Sequence, residues 1–111
     1  MGIRSDVGFA CKSEIAKQVD ELFPWVKEDA DTVSELPEGT LYHFCDIKWH
    51  YELDKDIMAL YAWLKERNED DYLIVEACSE YPENEDADLG SWYDNPWNMR
   101  RSISVSISFE A

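Results

Sequence analysis

The stretch DVGFACKSEIAKQVDELFP, residues 6–24, changes its hydrophobic period partway along. Val7, Phe9 and Cys11 alternate with Asp6, Gly8 and Ala10, the two-residue repeat of a strand. From Ser13 onward, Ile15, Ala16, Val19, Leu22 and Phe23 recur at the spacing of one face of an α-helix. Ser13 suits the N-cap, because a hydroxyl accepts from the open N–H groups of a first helical turn. Pro24 ends the helix, since the residue before a proline is pushed out of the helical conformation. The fold therefore opens with a strand followed by an amphipathic helix.

Working outward, residues 25–39 are acidic and end in LPEG, a turn signal, with a short strand around Thr32 and Val33. The longest alternating run follows, Thr40 to Tyr51. Leu41, His43, Cys45, Ile47 and Trp49 face one way; Tyr42, Phe44, Asp46, Lys48 and His50 face the other. A second helix spans about 53 to 67, with Leu53, Ile57, Leu60, Tyr61 and Leu64 on its apolar stripe. Tyr72 to Glu80 reads as a strand with Leu73, Val75 and Ala77 on the core face. In the last strand, Ile103, Val105, Ile107 and Phe109 alternate with four serines, the pattern of a sheet buried on one side. The order β-α-(β)-β-α-β-β predicts one α+β domain over residues 1–111. It is a two-layer sandwich: a mostly antiparallel sheet of four to five strands carries two helices on one face, a ferredoxin-like variant. Acidic loops are expected at 25–39 and 81–98.

Charge is the extreme feature. The chain holds 25 Asp and Glu against 10 Lys and Arg, a formal net charge of −15. Such a surface repels nucleic acid and anionic membranes and attracts basic proteins, including their nucleic-acid-binding faces. Apolar residues at 45% are enough for a packed core and argue against disorder. No apolar run approaches a membrane-spanning length, and the polar opening MGIRSDVGFACK does not suit a signal peptide. Asp6 stands where a myristoylation signal takes Ser or Thr. Cys11, Cys45 and Cys78 are far apart and odd in number, so a reducing cytoplasm is expected, with the cysteines as small buried hydrophobes.

The segment ENEDADLGSWYDNPW, residues 83–97, concentrates five carboxylates and three aromatics without a base. Asn84, Asp86 and Asp88 alternate as the start of an EF-hand loop does. The sixth position, however, is Leu89 rather than glycine, and the twelfth is Asn95 rather than a bidentate Glu. His43 and Cys45 share a strand face, but two ligands do not close a zinc site, and His50 points the other way. No glycine-rich elbow activates any cysteine, and no phosphate-binding loop or dinucleotide fingerprint is present. No metal, cofactor or catalytic set is assigned, and an enzyme is not expected.

The charge is also unevenly spread. Ten acids and no base lie between Asn68 and Met99, and five more acids between Glu28 and Glu38. The two stretches are expected to form one negative face. Because duplex DNA carries a phosphate every ~1.7 Å of axis, proteins that bind it present basic channels that a rigid acidic surface can occupy. Trp92, Tyr93 and Trp97 add the aromatic content of a protein-binding hot spot, or else fold back onto the sheet; Trp25 has the same two options.

Four pieces, taken in order, resemble a family of small bacteriophage and prophage proteins. MGIRSDVGFA resembles their MGYRSDV opening, and DIKWHY (46–51) their IKWY segment before the second helix. YLIVEACSEYPENEDADLG (72–90) resembles their penultimate strand and acidic loop, and RRSISVSISF (100–109) their closing RSI-F strand. Ile3 departs from the family's Tyr, and ACSE (77–80) from its glycine-acidic pair. The resemblance implies a compact protein of the bacterial host cytoplasm, made during infection or from a prophage. It supplies no catalytic residues.

The expectation is a non-enzymatic acidic protein that blocks a basic surface of a host nucleic-acid-handling or defence protein. It would bind neither nucleic acid nor membrane directly. The partner-binding residues are Glu83, Glu85, Asp86, Asp88, Trp92, Asp94 and Trp97. The alternatives are a homodimeric structural protein and an antitoxin or immunity-type inhibitor.

Overall fold

The computed structural model describes residues 5–47, 54–77, 89–92, 95–97, 100–101 and 107–108. β1 (Ser5–Lys12) runs into α1 (Ser13–Leu22) and α2 (Pro24–Asp29), then β2 (Thr32–Leu36) and β3 (Gly39–Ile47). α3 (Lys55–Lys65) and a 3₁₀ turn (Glu69–Asp71) lead to β4 (Tyr72–Ala77). The short strands β5 (Leu89–Gly90), β6 (Arg100–Arg101) and β7 (Ile107–Ser108) follow. The main sheet has the order β2-β3-β1-β4-β5, with every described neighbour antiparallel. The helices of β1-α1-α2-β2 step over β3, and α3 steps over β1 to reach β4. This is the split β-α-β connectivity of a ferredoxin-like α+β sandwich, as the periodicity predicts.

Central position explains the composition of β1. Val7, Phe9 and Cys11 pack with Tyr42 and Phe44 of β3 and Tyr72 and Ile74 of β4 under the helices. The helices contribute Ile15, Ala16 and Val19 from α1, Val26 from α2, and Ile57, Leu60, Tyr61 and Leu64 from α3. The opposite face of the sheet is covered as well. Ala10, Leu41, Leu73 and Val75 form a second cluster beneath Trp92, with Trp97 packed against it. The helix-facing side of β4 is therefore Tyr72 and Ile74, not the predicted Leu73 and Val75. Both sides are apolar because both are buried, and alternation alone does not say which one meets the helices.

Local chemistry sets the helix ends. The helix α1 begins after Lys12 with no side-chain cap. Ser13, the expected cap, instead donates its hydroxyl to the Pro37 carbonyl at 2.8 Å, which ties the helix start to the β2–β3 turn. Pro24 ends α1 but also begins α2, where its missing N–H costs nothing at the first helical position. The predicted acidic loop at 25–39 is accordingly a helix, a strand and a two-residue turn. It is anchored by fully buried Val26, and half-buried Trp25 and Val33 pack against the same core. In α3, Asp54 caps the start by accepting from the N–H groups of Asp56 (2.9 Å) and Ile57 (3.2 Å), a contribution of about 1 kcal/mol. The Tyr42 hydroxyl donates to Asp20 Oδ1 at 2.6 Å and pins α1 to β3.

At the C-terminal end, Ile107–Ser108 pairs with Arg100–Arg101 in a separate two-stranded ladder that lies beside β4. Most of the predicted last strand, and Leu53, Cys78 and Trp49, fall outside the described residues. The fifth strand of the main sheet is instead β5, inside the stretch expected to be a loop.

Candidate acidic and aromatic interaction surface

The described part of the 81–98 segment is fastened to the sheet by its backbone. Leu89 and Gly90 pair with Ile74 and Leu73. Just beyond, the Ser91 N–H donates to the Glu69 carbonyl at 2.8 Å and the Trp92 N–H to the Tyr72 carbonyl at 3.0 Å. Gly90 has φ +87°, and a Cβ there would run into the Tyr72 carbonyl and ring. Only glycine takes this corner without strain. The Ser91 hydroxyl donates to Asp70 Oδ1 at 2.8 Å, which joins the aromatic segment to the acidic 3₁₀ turn.

This anchoring decides where the tryptophans go. Trp92 is 8% exposed and lies on Ala10, Leu41, Leu73 and Val75. Its ring passes over Gly39, where an added Cβ would stand 2.9 Å away. Trp97 meets it edge to face, with ring centroids 6.3 Å apart. Asn95, 2% exposed, donates from Nδ2 to the Trp92 carbonyl at 2.9 Å and closes the turn. Of the two options for Trp92, contact with a partner or folding back onto the sheet, the chain takes the second: the bonds at residues 89–92 turn it inward as a packing residue of the second core cluster. Half-buried Trp97 keeps an open side. Glu83, Glu85, Asp86, Asp88 and Asp94 lie outside the described residues, as does Tyr93.

Among the described residues, the acidic side chains fall at two places, and most of the acids of 68–99 lie outside them. Glu38 sits in the β2–β3 turn and Glu69–Asp71 just before β4, at the same end of the sheet. Lys12 stands between them and pairs with Asp71 at 3.0 Å. Glu28 and Asp29 end α2, Asp31 just precedes β2, and Glu35 lies within β2, where Lys27 pairs with it at 3.2 Å. Sequence reasoning noted the 28–38 stretch but did not foresee that it holds the end of a helix. The signal available was its embedded Thr32 and Val33. Among the described residues, Lys12 and Lys27 are the lysines in ion pairs with these carboxylates. Both pairs are exposed enough for solvent to screen most of their attraction.

His43 and Cys45 stand side by side on β3. Cys45 Sγ lies 3.9 Å from His43 Nε2, on the exposed side of β3. Partial desolvation, then the carboxylates of Asp6 and Asp31, raise the thiol above its ordinary value. It thus stays protonated at neutral pH, when a nucleophile would need the thiolate. Cys45 is exposed, contrary to expectation, whereas Cys11 is buried as expected. Asp31 has a structural task here: its Oδ2 accepts the Cys45 N–H at 2.6 Å, beyond the point where β2 begins. Among the described residues, no three His, Cys, Asp or Glu side chains converge as a metal site. Among the described residues, no helix is long and apolar enough to cross a membrane. No protein-family model, curated protein or solved structure matches the chain, so the reading of this surface rests on its own geometry.

Proposed function

We propose that this is a non-enzymatic acidic binding protein, of phage or prophage origin, which covers a basic surface on a host nucleic-acid-handling or defence protein. The observation that carries the reading is a surplus of exposed carboxylates held on ordered elements. Glu28, Asp29, Asp31, Glu35 and Glu38, with Glu69 and Asp70, are all exposed, in a chain of net charge −15. Carboxylates fixed on a helix, a strand and tight turns do not have to be ordered when a partner binds, so less conformational entropy is lost. Their like charges repel one another in the free protein. A cationic groove that normally holds phosphates relieves that repulsion, and steering by the whole negative field speeds the encounter.

The test is competition for a basic protein against its own duplex DNA, with the salt concentration varied. Added protein should displace DNA at low salt and lose affinity steeply as salt rises, because exposed charges are screened beyond about 10 Å at 0.1 M. A variant with Glu28, Asp29, Glu38 and Asp70 changed to their amides should compete poorly while keeping its fold. Unchanged competition by that variant would refute the reading.

A further inference from the structure

We propose that His43 and Cys45 form a two-donor site for a soft monovalent cation, copper(I), held between the imidazole nitrogen and the sulfur. The site is separate from the acidic-binding reading above and does not depend on it. Tyr42 and Phe44 of β3 pack under the helices and Leu41 packs on the opposite face of the sheet. Alternation therefore puts His43 and Cys45 together on that opposite face. Nε2 is the ring atom of His43 that faces Cys45 Sγ, at 3.9 Å. A first-row metal ion with a filled d shell binds thiolate sulfur at about 2.3 Å and imidazole nitrogen at about 2.0 Å. Two such donors on one ion stand roughly 3.5 Å apart at the tetrahedral angle and roughly 4.3 Å apart in a straight line. The observed spacing falls inside that range, so one ion can bridge the pair with little movement of either side chain.

The backbone around the pair is fixed by a single residue. Asp31 donates its N–H to the His43 carbonyl at 2.9 Å and accepts the Cys45 N–H on Oδ2 at 2.6 Å. On the other side of β3 the pairing with β1 slips by one residue, so Asp6 alone stands opposite Cys45 and Asp46. Such a bulge re-aims the side chains it carries. Cys45 is exposed, which leaves its sulfur open to an entering ion. The carboxylates of Asp6 and Asp31 are close enough to act on the thiol, and the same negative field favours a cation there.

Donor type and donor number select the ion. Magnesium and calcium take oxygen ligands. Zinc takes four ligands, or three and a water, and among the described residues no third His, Cys, Asp or Glu converges on this pair. Copper(I) is satisfied by two donors, and thiolate with imidazole is a set that suits it. On binding, the S–H bond breaks, the proton passes to buffer and a sulfur–copper bond forms, with no change in oxidation state.

The test is a titration of copper(I), kept reduced under anaerobic conditions, into the full chain against a chromogenic copper(I) chelator. The chain should take one ion from the chelator. Cys45→Ser should abolish that uptake, and Cys78→Ser should leave it unchanged. His43→Gln should weaken it at least about tenfold, the lower end of what even a supporting partner of a metal ligand contributes. Near-ultraviolet circular dichroism checks the fold of each variant. A measurement on the unaltered chain accompanies them: copper(I) should shift the His43 ring resonances and leave those of His50 in place. Zinc in large excess should not displace the copper. Uptake unaffected by Cys45→Ser or by His43→Gln, unmoved His43 resonances, or displacement by zinc would each overturn the proposal.

Discussion

Trp92→Ala separates a packing role from a binding role at the center of the aromatic segment. The ring is 8% exposed and rests on four apolar residues from three strands, with Trp97 against its edge. Truncating a buried Trp typically removes about 3–5 kcal/mol, because transfer free energy is lost and the surrounding side chains only partly collapse into the void. A domain of this size has a total stability of about 5–15 kcal/mol, so the loss is a large fraction of the whole. With an unfolding entropy of about 2.1 cal/mol/K per residue, 111 residues give roughly 0.23 kcal/mol/K. A loss of about 4 kcal/mol therefore lowers Tm by about 17 °C. Trp97→Ala, at a half-buried position, should cost about half as much. Urea denaturation followed by circular dichroism measures both, and the double variant gives their coupling, expected at about 0.5–1.5 kcal/mol for an edge-to-face pair. A Trp92→Ala protein less than about 1 kcal/mol below the parent would refute the packing assignment.

Three further outcomes follow from the same contacts. Gly90→Ala should destabilise by about 1–3 kcal/mol, since it combines a positive φ with a clash against Tyr72; a neutral result in the same denaturation assay would contradict the corner geometry. Tyr42→Phe should cost about 1.5–3 kcal/mol by leaving part-buried Asp20 without its donor, and an unchanged urea midpoint would show that this bond does not hold α1. Stability should also fall at alkaline pH. Burial, and less strongly Asp20, raise the Cys11 thiol and Tyr42 phenol above their ordinary 9.0 and 10.0. The unfolded chain therefore holds fewer protons than the folded one above pH 9, and unfolding free energy drops as pH rises. The contribution is intact below pH 9 and is lost above it, by at most about 1.4 kcal/mol per pH unit per group. Cys11→Ala should flatten the slope between pH 9 and 10, and an equal slope in that variant would sink the assignment.

The elements were legible in the sequence where one periodic pattern met one chemical environment. Val7, Phe9 and Cys11 announce β1, and Ile57, Leu60, Tyr61 and Leu64 announce α3, because each set really does face one layer. The reading lost its way where burial is two-sided or the chain is short. Leu73 and Val75 are as buried as Tyr72 and Ile74, so the strand was identifiable but its helix-facing side was not. Val26 hides in an acidic run, and one buried residue in a six-residue helix leaves no measurable period. β5 is two residues of backbone pairing beside a positive-φ glycine, and no side-chain pattern reports that.

Sequence alone determined the quantities that are additive along the chain. Net charge, the density of carboxylates at 28–38 and 68–99, and the alternation of strands and helices are sums or local repeats, independent of what packs where. Among the described residues, tertiary structure alone decided which carboxylates lie near one another, that β2 ends the strand order of the main sheet, and that Trp92 turns inward while Trp97 is half-buried. These depend on strand order and on backbone bonds between residues far apart in the chain. The Trp92 N–H reaches Tyr72, its ring lies over Gly39, and Asp31 meets Cys45. Such contacts form only when the sheet closes around β1, so no local pattern in the chain encodes them.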